Sequence, residues 1–222
     1  MIQTIHAQEE VTEAEMEENL FDANDAQADS NRRVLEKSGT RAIDIMGAIG
    51  SGKTTLVTRM VERMSGRARV AVINGDPVTA DDVLPIERQG VPVIQIAANA
   101  CHLDADLVSR AYAKLPIGEL DLILIENVGN LICPAEFKLG SNARVVVISV
   151  TEGPWMVRKH PRMFLGARLV VINKLDFAGP MGVDVDQLER DVHMLKPDLK
   201  VIKTSCKAGT GLDELADALL AL

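Results

Sequence analysis

The sequence predicts an α/β fold: a mostly parallel sheet of about seven strands between helical layers, with a helical extension at the N-terminus. Three observations predict it. Seven short apolar runs recur over residues 42–204, amphipathic segments separate many of them, and the first run leads into the glycine-rich string "MGAIGSGKTTL" at 46–56. Strand–helix alternation of this kind covers both faces of a parallel sheet with helices, and ligands then collect at the carboxyl ends of the strands.

In chain order, residues 9–38 are rich in Glu, Ala, Asp, Asn and Arg, with Leu20, Ala28 and Leu35 among sparse apolar positions. The pattern predicts one or two polar helices outside the main sheet, so an acidic extension at 1–38 precedes a domain at 39–222. A solvated helix with no role of its own and a partner-docking helix both fit these residues. Strands are expected at "AIDIM" (42–46), "RVAVIN" (69–74), "VPVIQI" (91–96), "DLILIE" (121–126), "ARVVVISV" (143–150), "RLVVIN" (168–173) and "LKVIKT" (199–204). Several are apolar on both faces, as a sheet buried on both sides requires. Helices are expected at about 53–64, 81–89, 103–114, 185–195 and 211–221. No internal repeat or low-complexity linker interrupts the series.

Bulk composition narrows the function. Of 222 residues, 47% are hydrophobic but only 3% aromatic, so the core must be aliphatic. A net charge of −8 disfavours broad nucleic-acid binding and a polybasic membrane anchor, both of which need basic surface. The first twenty residues lack the charged-then-apolar order of a secretory signal. No apolar run approaches the roughly 18 residues that span a bilayer. Three cysteines cannot all pair within one chain. A soluble cytoplasmic protein without nucleic-acid or membrane partners is expected.

Gly47, four residues, then Gly52-Lys53-Thr54 is the phosphate-loop pattern. Its glycines let backbone N–H groups curl around phosphate oxygens, and the following helix presents its positive dipole end to the same anion. Gly47, Gly50, Ser51, Gly52, Lys53, Thr54 and Thr55 are therefore the phosphate-binding candidates. Lys53 would neutralise phosphate charge and Thr54 would coordinate Mg²⁺. The expected architecture is a three-layer P-loop NTPase, SIMIBI-like. Asp76 and Glu126 end two apolar runs, where a carboxylate can hold Mg²⁺ or its waters. A helix cap is the alternative for either alone. With Lys53 and Thr54 they form the candidate catalytic set. Gly129 follows Glu126 at a spacing suited to reading a γ-phosphate through its N–H.

Asn173-Lys174-Leu175-Asp176 follows the sixth apolar run. The Asp176 carboxylate can accept both N1–H and N2–H₂ of guanine, an edge that adenine lacks, and buried polar recognition discriminates strongly. Asn173 would tie this loop to the phosphate loop, and the Lys174 stem would cover the base. Such residues also make ordinary turns. Ser205-Cys206-Lys207 follows the last apolar run, where a backbone N–H could reach guanine O6. Together these loops favour GTP and GDP over adenine nucleotides.

Cys101 and His102 precede an expected helix, and Cys133 lies four residues beyond Gly129. Thiolates and imidazole suit Ni²⁺ or Zn²⁺ rather than Mg²⁺. On residue types alone, a buried cysteine serving as a small hydrophobe is the alternative. Cys206 reads as packing rather than ligating.

"MGAIGSGKTTL", "QIAANACHLDADLV", "LILIENVGNLICPAEFKLG", "VISVTEGP", "INKLD" and "SCKAGTGLDEL" occur in an order that resembles the HypB family, the GTPases of nickel insertion into [NiFe]-hydrogenase. The stretch "ENLFDANDAQADSNRRVLEKSG" is similar to that family's N-terminal helical segment, so the resemblance covers nearly the whole chain after about residue 18. It implies a GTPase, Cys101, His102 and Cys133 as ligands of nickel or zinc, and a nucleotide-dependent homodimer; slow intrinsic turnover is expected because the sequence offers no obvious water-orienting Gln or arginine finger. A nickel-donating accessory protein and a hydrogenase large-subunit precursor are the implied partners.

The chain departs from the pattern in places. No N-terminal cysteine motif or His-rich tract is present, which removes support for nickel storage. Asn74 stands where the family often has Glu, Ala80 where Asp is frequent, His160 for a usual Tyr, and Cys206 for a usual Ala. A urease-accessory nickel GTPase is an alternative, although its Cys-Pro-His motif is absent because Ala135 follows Cys133-Pro134. A metal-binding chaperone that uses GTP only as a binding switch is another.

Overall fold

Val, Ile and Leu dominate seven strands in the computed structural model, which describes residues 13–75, 80–97 and 101–222. They are β1 (Arg41–Met46), β2 (Val70–Asn74), β3 (Val93–Gln95), β4 (Leu122–Glu126), β5 (Ala143–Ser149), β6 (Leu169–Asn173) and β7 (Lys200–Lys203). Their order across the sheet is β3-β2-β4-β1-β5-β6-β7. Every pairing is parallel. All seven expected runs become strands, trimmed at their ends except that β1 starts one residue earlier, at Arg41. The phosphate loop therefore leaves the central strand, with β4 on one side and β5 on the other.

Ten helices are described: α1 (Glu13–Ser38), α2 (Lys53–Met64), α3 (Ala80–Glu87), α4 (Ala105–Tyr112), α5 (Cys133–Glu136), α6 (Met156–Lys159), α7 (Arg162–Leu165), α8 (Ala178–Met181), α9 (Val185–Leu195) and α10 (Leu212–Ala221). The one-turn helices α5 to α8 were not expected from the sequence, because four residues are too few to display a 3.6-residue period. In α2 the apolar positions Leu56, Val57, Met60, Val61 and Met64 follow that period and are all buried.

The sheet has helices on both faces. Residues 43 and 45 of β1, with their counterparts on the neighbouring strands, pack against α2, Ile86 of α3 and α10. The opposite face carries two separate apolar clusters. One joins Ala42, Ala71 and Ile123 to Leu35 of α1 and Val108 of α4, while the other joins Met46, Val146 and Ile172 to Phe164 of α7 and Val192 of α9. Three layers result, with an aliphatic core.

The polar stretch expected as one or two helices forms the single helix α1 over the described part, and residues 9–12 lie outside the described residues. The helix packs against α4 and touches β1. Ala28 and Leu35 are buried, whereas Leu20 is exposed. Two asparagines explain why so polar a helix stays in place. Asn31 Nδ2 donates to the carbonyls of Ala105 (2.8 Å) and Leu139 (3.0 Å), and Asn24 donates to Lys138 O and accepts from Ala105 N. No described helix is long and apolar enough to cross a membrane.

Candidate functional site

The nucleotide cradle begins where β1 stops. Gly50 and Gly52 take positive φ values of 77° and 95°, a backbone region that L side chains rarely adopt. A Cβ at Gly52 would also stand 2.6 Å from Asn173 Nδ2, so the close approach of the two loops requires glycine there. Lys53 opens α2 and is buried, and its Nζ donates to Ala48 O across the loop at 3.2 Å. Thr54 Oγ1 donates to Glu126 Oε1 at 2.6 Å, bringing the hydroxyl expected at Mg²⁺ against a carboxylate that ends β4. Asp76 and Thr79 lie outside the described residues, as does the side chain of Ala80.

The second wall comes from the ends of β6 and β7. Asn173 Nδ2 donates to Ser51 O at 3.0 Å, and Lys174 Nζ donates to Gly50 O at 2.5 Å. The Asn173 bond is the tie expected between this loop and the phosphate loop, and the Lys174 bond, at a residue expected to cover the base, adds a second. Lys174 is the non-glycine residue with positive φ (63°) among those described, which turns the chain sharply out of β6. Ser205 Oγ donates to Asp176 Oδ1 at 2.6 Å and accepts from Ala208 N at 3.1 Å, so the loops after β6 and β7 are joined. Cys206 is buried, with its Sγ 3.6 Å from Asn173 Oδ1. Burial pushes the Cys206 thiol up from its ordinary range. Gly52, Thr55, Asn173, Lys174, Asp176 and Lys207 are among the residues around a cleft of about 250 Å³.

A carboxylate not singled out from the sequence stands beside this cradle. Glu152 Oε1 accepts from Ser149 N at 2.9 Å, completing a capping box at the end of β5. Burial pushes its carboxyl up to about 7, while the Ser149 N–H and the charges of Lys174 and Lys53 act in the opposite direction.

Away from the cradle, one Sγ each from Cys101 and Cys133 and one imidazole nitrogen of His102 lie within 4.8 Å of one another. Cys101 Sγ is 3.5 Å from His102 Nδ1. The hydrogen bond with Cys133 raises the Cys101 thiol, and burial adds to it. The imidazole stacks on Phe137 with centroids 3.8 Å apart, and burial lowers its proton affinity. Cys101 is exposed and Cys133 half-buried, so the donors are reachable from solvent. Two sulfurs and an imidazole nitrogen this close form a soft-donor set that fits Ni²⁺ or Zn²⁺. Cys206 is not part of the cluster.

Residues 129–133 touch both places. Gly129 approaches the phosphate loop so closely that a Cβ there would stand 2.6 Å from Ile49 Cγ1, and Asn130 forms an antiparallel bridge with Gly47. Asn130 Nδ2 also donates to Cys101 O at 3.2 Å, and Cys133 begins α5 three residues later.

The model for the "CobW/HypB/UreG, nucleotide-binding domain" matches residues 41–203. A HypB relative from Methanocaldococcus jannaschii is 42% identical over 200 residues, covering 90% of each chain. The chain belongs to the HypB family. Among solved structures, HypB from Archaeoglobus fulgidus superimposes with a TM-score of 0.85 at 42% identity, covering 90% of this chain and 98% of that one. HypB from Helicobacter pylori in complex with nickel gives 0.84 at 32% identity, covering 90% and 94%. The fold is accordingly that of a P-loop nucleotide-binding protein.

The HypB-family fold gathers the sequence candidates among the described residues into the cradle and the thiol cluster. Reading the sequence missed the residues that hold these places together: Asp44, Asn127, Asn130, Arg144 and Glu152. Two of them left a signal, since Asp44 and Arg144 are charges inside otherwise apolar strand runs.

Proposed function

We propose that this chain is a GTP-hydrolysing metallochaperone that delivers nickel to the precursor of a [NiFe]-hydrogenase. The observation that carries the reading is the segment 129–133, which abuts the phosphate loop at one end and supplies Cys133 to the soft-donor cluster at the other. Membership of the HypB family and the nickel complex of the Helicobacter pylori relative support the cargo.

In this reading Gly47 to Thr55 wrap the phosphates, and Lys53 neutralises charge that develops on the transferring phosphoryl group. Thr54, Glu126 and Asp76 are the hard oxygen donors for Mg²⁺, and the 2.6 Å contact between Thr54 and Glu126 suits a shared ion. Bound there, Mg²⁺ would supply charge stabilisation at the phosphates. Asp176 reads the guanine edge, with Ser205 holding one of its oxygens, while Asn173 and Lys174 fasten the base loop to the phosphate loop. Gly129 reads the γ-phosphate. Cys101, His102 and Cys133 carry Ni²⁺, with Zn²⁺ as the competing ion. Three ligands leave a coordination position open, which water, a second copy of the chain or the partner protein fills. Turnover is slow, and the chain works as a nucleotide-dependent homodimer with a nickel donor and the hydrogenase large-subunit precursor. The cytoplasm suits it, because thiol ligands stay reduced there.

Single-turnover hydrolysis with a parallel Ni²⁺ titration tests this reading. Phosphate release from GTP, together with nickel binding that is lost in Cys133→Ala, is the expected pair of results. Nucleotide binding without phosphate release would leave a GTP-dependent binding switch instead.

A further inference from the structure

On one sheet face, polar side chains fill the seam between two apolar clusters. Ala42 and Met46 of β1 belong to different clusters, and Asp44 sits between them with no exposed surface. A carboxylate in that position is costly unless its oxygens are matched. Arg144 of β5 donates Nε to Asp44 Oδ2 at 2.9 Å, and Asn127 donates Nδ2 to Asp44 Oδ1 at 3.0 Å.

Both partners reach onward. Arg144 Nη1 donates to Ala135 O at 3.0 Å and its Nη2 to Phe137 O at 2.9 Å. Asn127 Oδ1 accepts from Leu103 N at 3.1 Å and from Val128 N at 2.9 Å. Leu103 follows His102 directly. Ala135 lies two residues past Cys133, and Phe137 carries the ring that stacks on His102. One buried carboxylate thus spans from the loop of Cys101 and His102 to the segment around α5 that begins with Cys133.

None of the three held residues, Leu103, Ala135 and Phe137, belongs to a strand. Sheet pairing therefore does not require these bonds. Aliphatic side chains of equal size would fill the seam with no charge to desolvate, and such replacements are often neutral or stabilising. What the polar version adds is position: a planar guanidinium fixes two carbonyls and a carboxylate at once, which a point-charge ammonium cannot do.

We infer that Asp44, Asn127 and Arg144 are positioning residues that set the separation of the two segments carrying the soft-metal donors. They touch no donor atom and act through Leu103, Ala135 and Phe137. The inference rests on the metal-site reading of Cys101, His102 and Cys133. Its signature is a change in nickel binding that nucleotide binding does not share.

The test compares the full chain with Arg144→Lys, Asp44→Asn and Cys133→Ala. Ni²⁺ is titrated while sulfur-to-nickel charge-transfer absorption is followed, and affinity for a non-hydrolysable GTP analogue and Tm are measured in parallel. Outer-shell losses at metal sites run to about 10–100-fold, so Arg144→Lys and Asp44→Asn should each weaken Ni²⁺ by at least about tenfold. The charge-transfer band should shift, and GTP-analogue affinity should stay at the wild-type value. Wild-type nickel affinity and spectrum in either folded variant, with Cys133→Ala still defective, would overturn the positioning role alone. Undiminished nickel binding by Cys133→Ala would overturn the metal-site reading beneath it. A parallel fall in nickel affinity, nucleotide affinity and Tm would make the seam a general folding element and also overturn the inference. If Arg144→Lys does not fold, the nearly isosteric Asp44→Asn decides by the same readout. Failure of both to fold counts against the role.

Discussion

The nucleotide cradle and the thiol cluster share the segment 129–133 but are built differently. The cradle hangs on strand ends, and buried bonds such as Asn173 to Ser51 close it across the sheet. Its shape follows from the fold. The thiol cluster hangs on a loop and the first turn of α5, with Cys101 exposed, and its order comes from side chains that brace those segments from outside. The difference suits the two ligands. In the proposed function a triphosphate is gripped by backbone that any P-loop fold supplies, whereas a cargo ion must enter and leave, which suits a donor set with Cys101 exposed and a dedicated frame around it.

Losing the cradle's chemistry without losing its shape should produce the largest effect. Lys53 is the most direct neutraliser at the phosphates, so Lys53→Ala should lower single-turnover hydrolysis by about 100-fold or more, with circular dichroism unchanged. Nickel binding to the nucleotide-free protein should persist. A rate near wild type would mean that the phosphate loop does not perform the chemistry.

Next in size is guanine selection. Ser205 already occupies one oxygen of Asp176, so the carboxylate is oriented before the base arrives. Asp176→Asn should weaken GTP by roughly 10–100-fold, the value of hydrogen bonds to a charged group, and shift preference toward xanthosine triphosphate. Competition binding with GTP, ATP and xanthosine triphosphate measures it. Equal affinity of the wild type for GTP and ATP would contradict the base-reading role.

The same contrast explains what could be read in the sequence. Strands β1 to β7 and the end points of α2 and α9 were legible, because apolar runs and helical periodicity are local signals. The glycine-rich loop after β1 and the polar loops after β6 and β7 stood out because each packs particular residue types at short spacing, and the structure brings these loops together. Helices α5 to α8 were not legible, being single turns held by tertiary contacts. Nor was the brace of the thiol cluster. Asp44, Asn127 and Arg144 meet only when β1, β4 and β5 lie side by side, and no local spacing encodes that meeting. Cys101 and His102 lie 32 and 31 residues before Cys133, so their approach depends on the same strand order.

If the two sites communicate, the contrast between them should blur when nucleotide changes. The Gly47–Asn130 bridge and the Asn130 contact to Cys101 give a short physical route from phosphate to donor. Ni²⁺ affinity should therefore differ between the GTP-analogue and GDP forms by about 1–2 kcal/mol, within the usual range of coupling energies. Linkage requires saturating nickel to change the ratio of the two nucleotide affinities by the same factor. Asn130→Ala should reduce the difference. Superimposable nickel isotherms in both nucleotide states would sink gated delivery, even with hydrolysis and nickel binding each established.

The smallest effect concerns the buried carboxyl beside the cradle. The Glu152 carboxyl is pushed up to about 7 by burial, against an ordinary value of 4.5. The folded state therefore binds this proton more tightly than the unfolded chain does. That contribution to stability is complete below about pH 4.5 and is lost as pH rises through about 7. Glu152→Gln keeps an oxygen for the Ser149 N–H and carries no charge to desolvate. Glu152 is partly solvated, so the gain at pH 8 should be modest, about 1–2 kcal/mol or a Tm higher by about 2–6 °C. At pH 4 the two proteins should melt together. Nickel affinity should not change, since Glu152 lies by Lys53 and Lys174 rather than by the thiols. A variant less stable than wild type at pH 8 would show that the carboxylate is held charged by the two lysines. A matching change in nickel affinity would show that the cradle and the cluster share their electrostatics as well as a segment of chain.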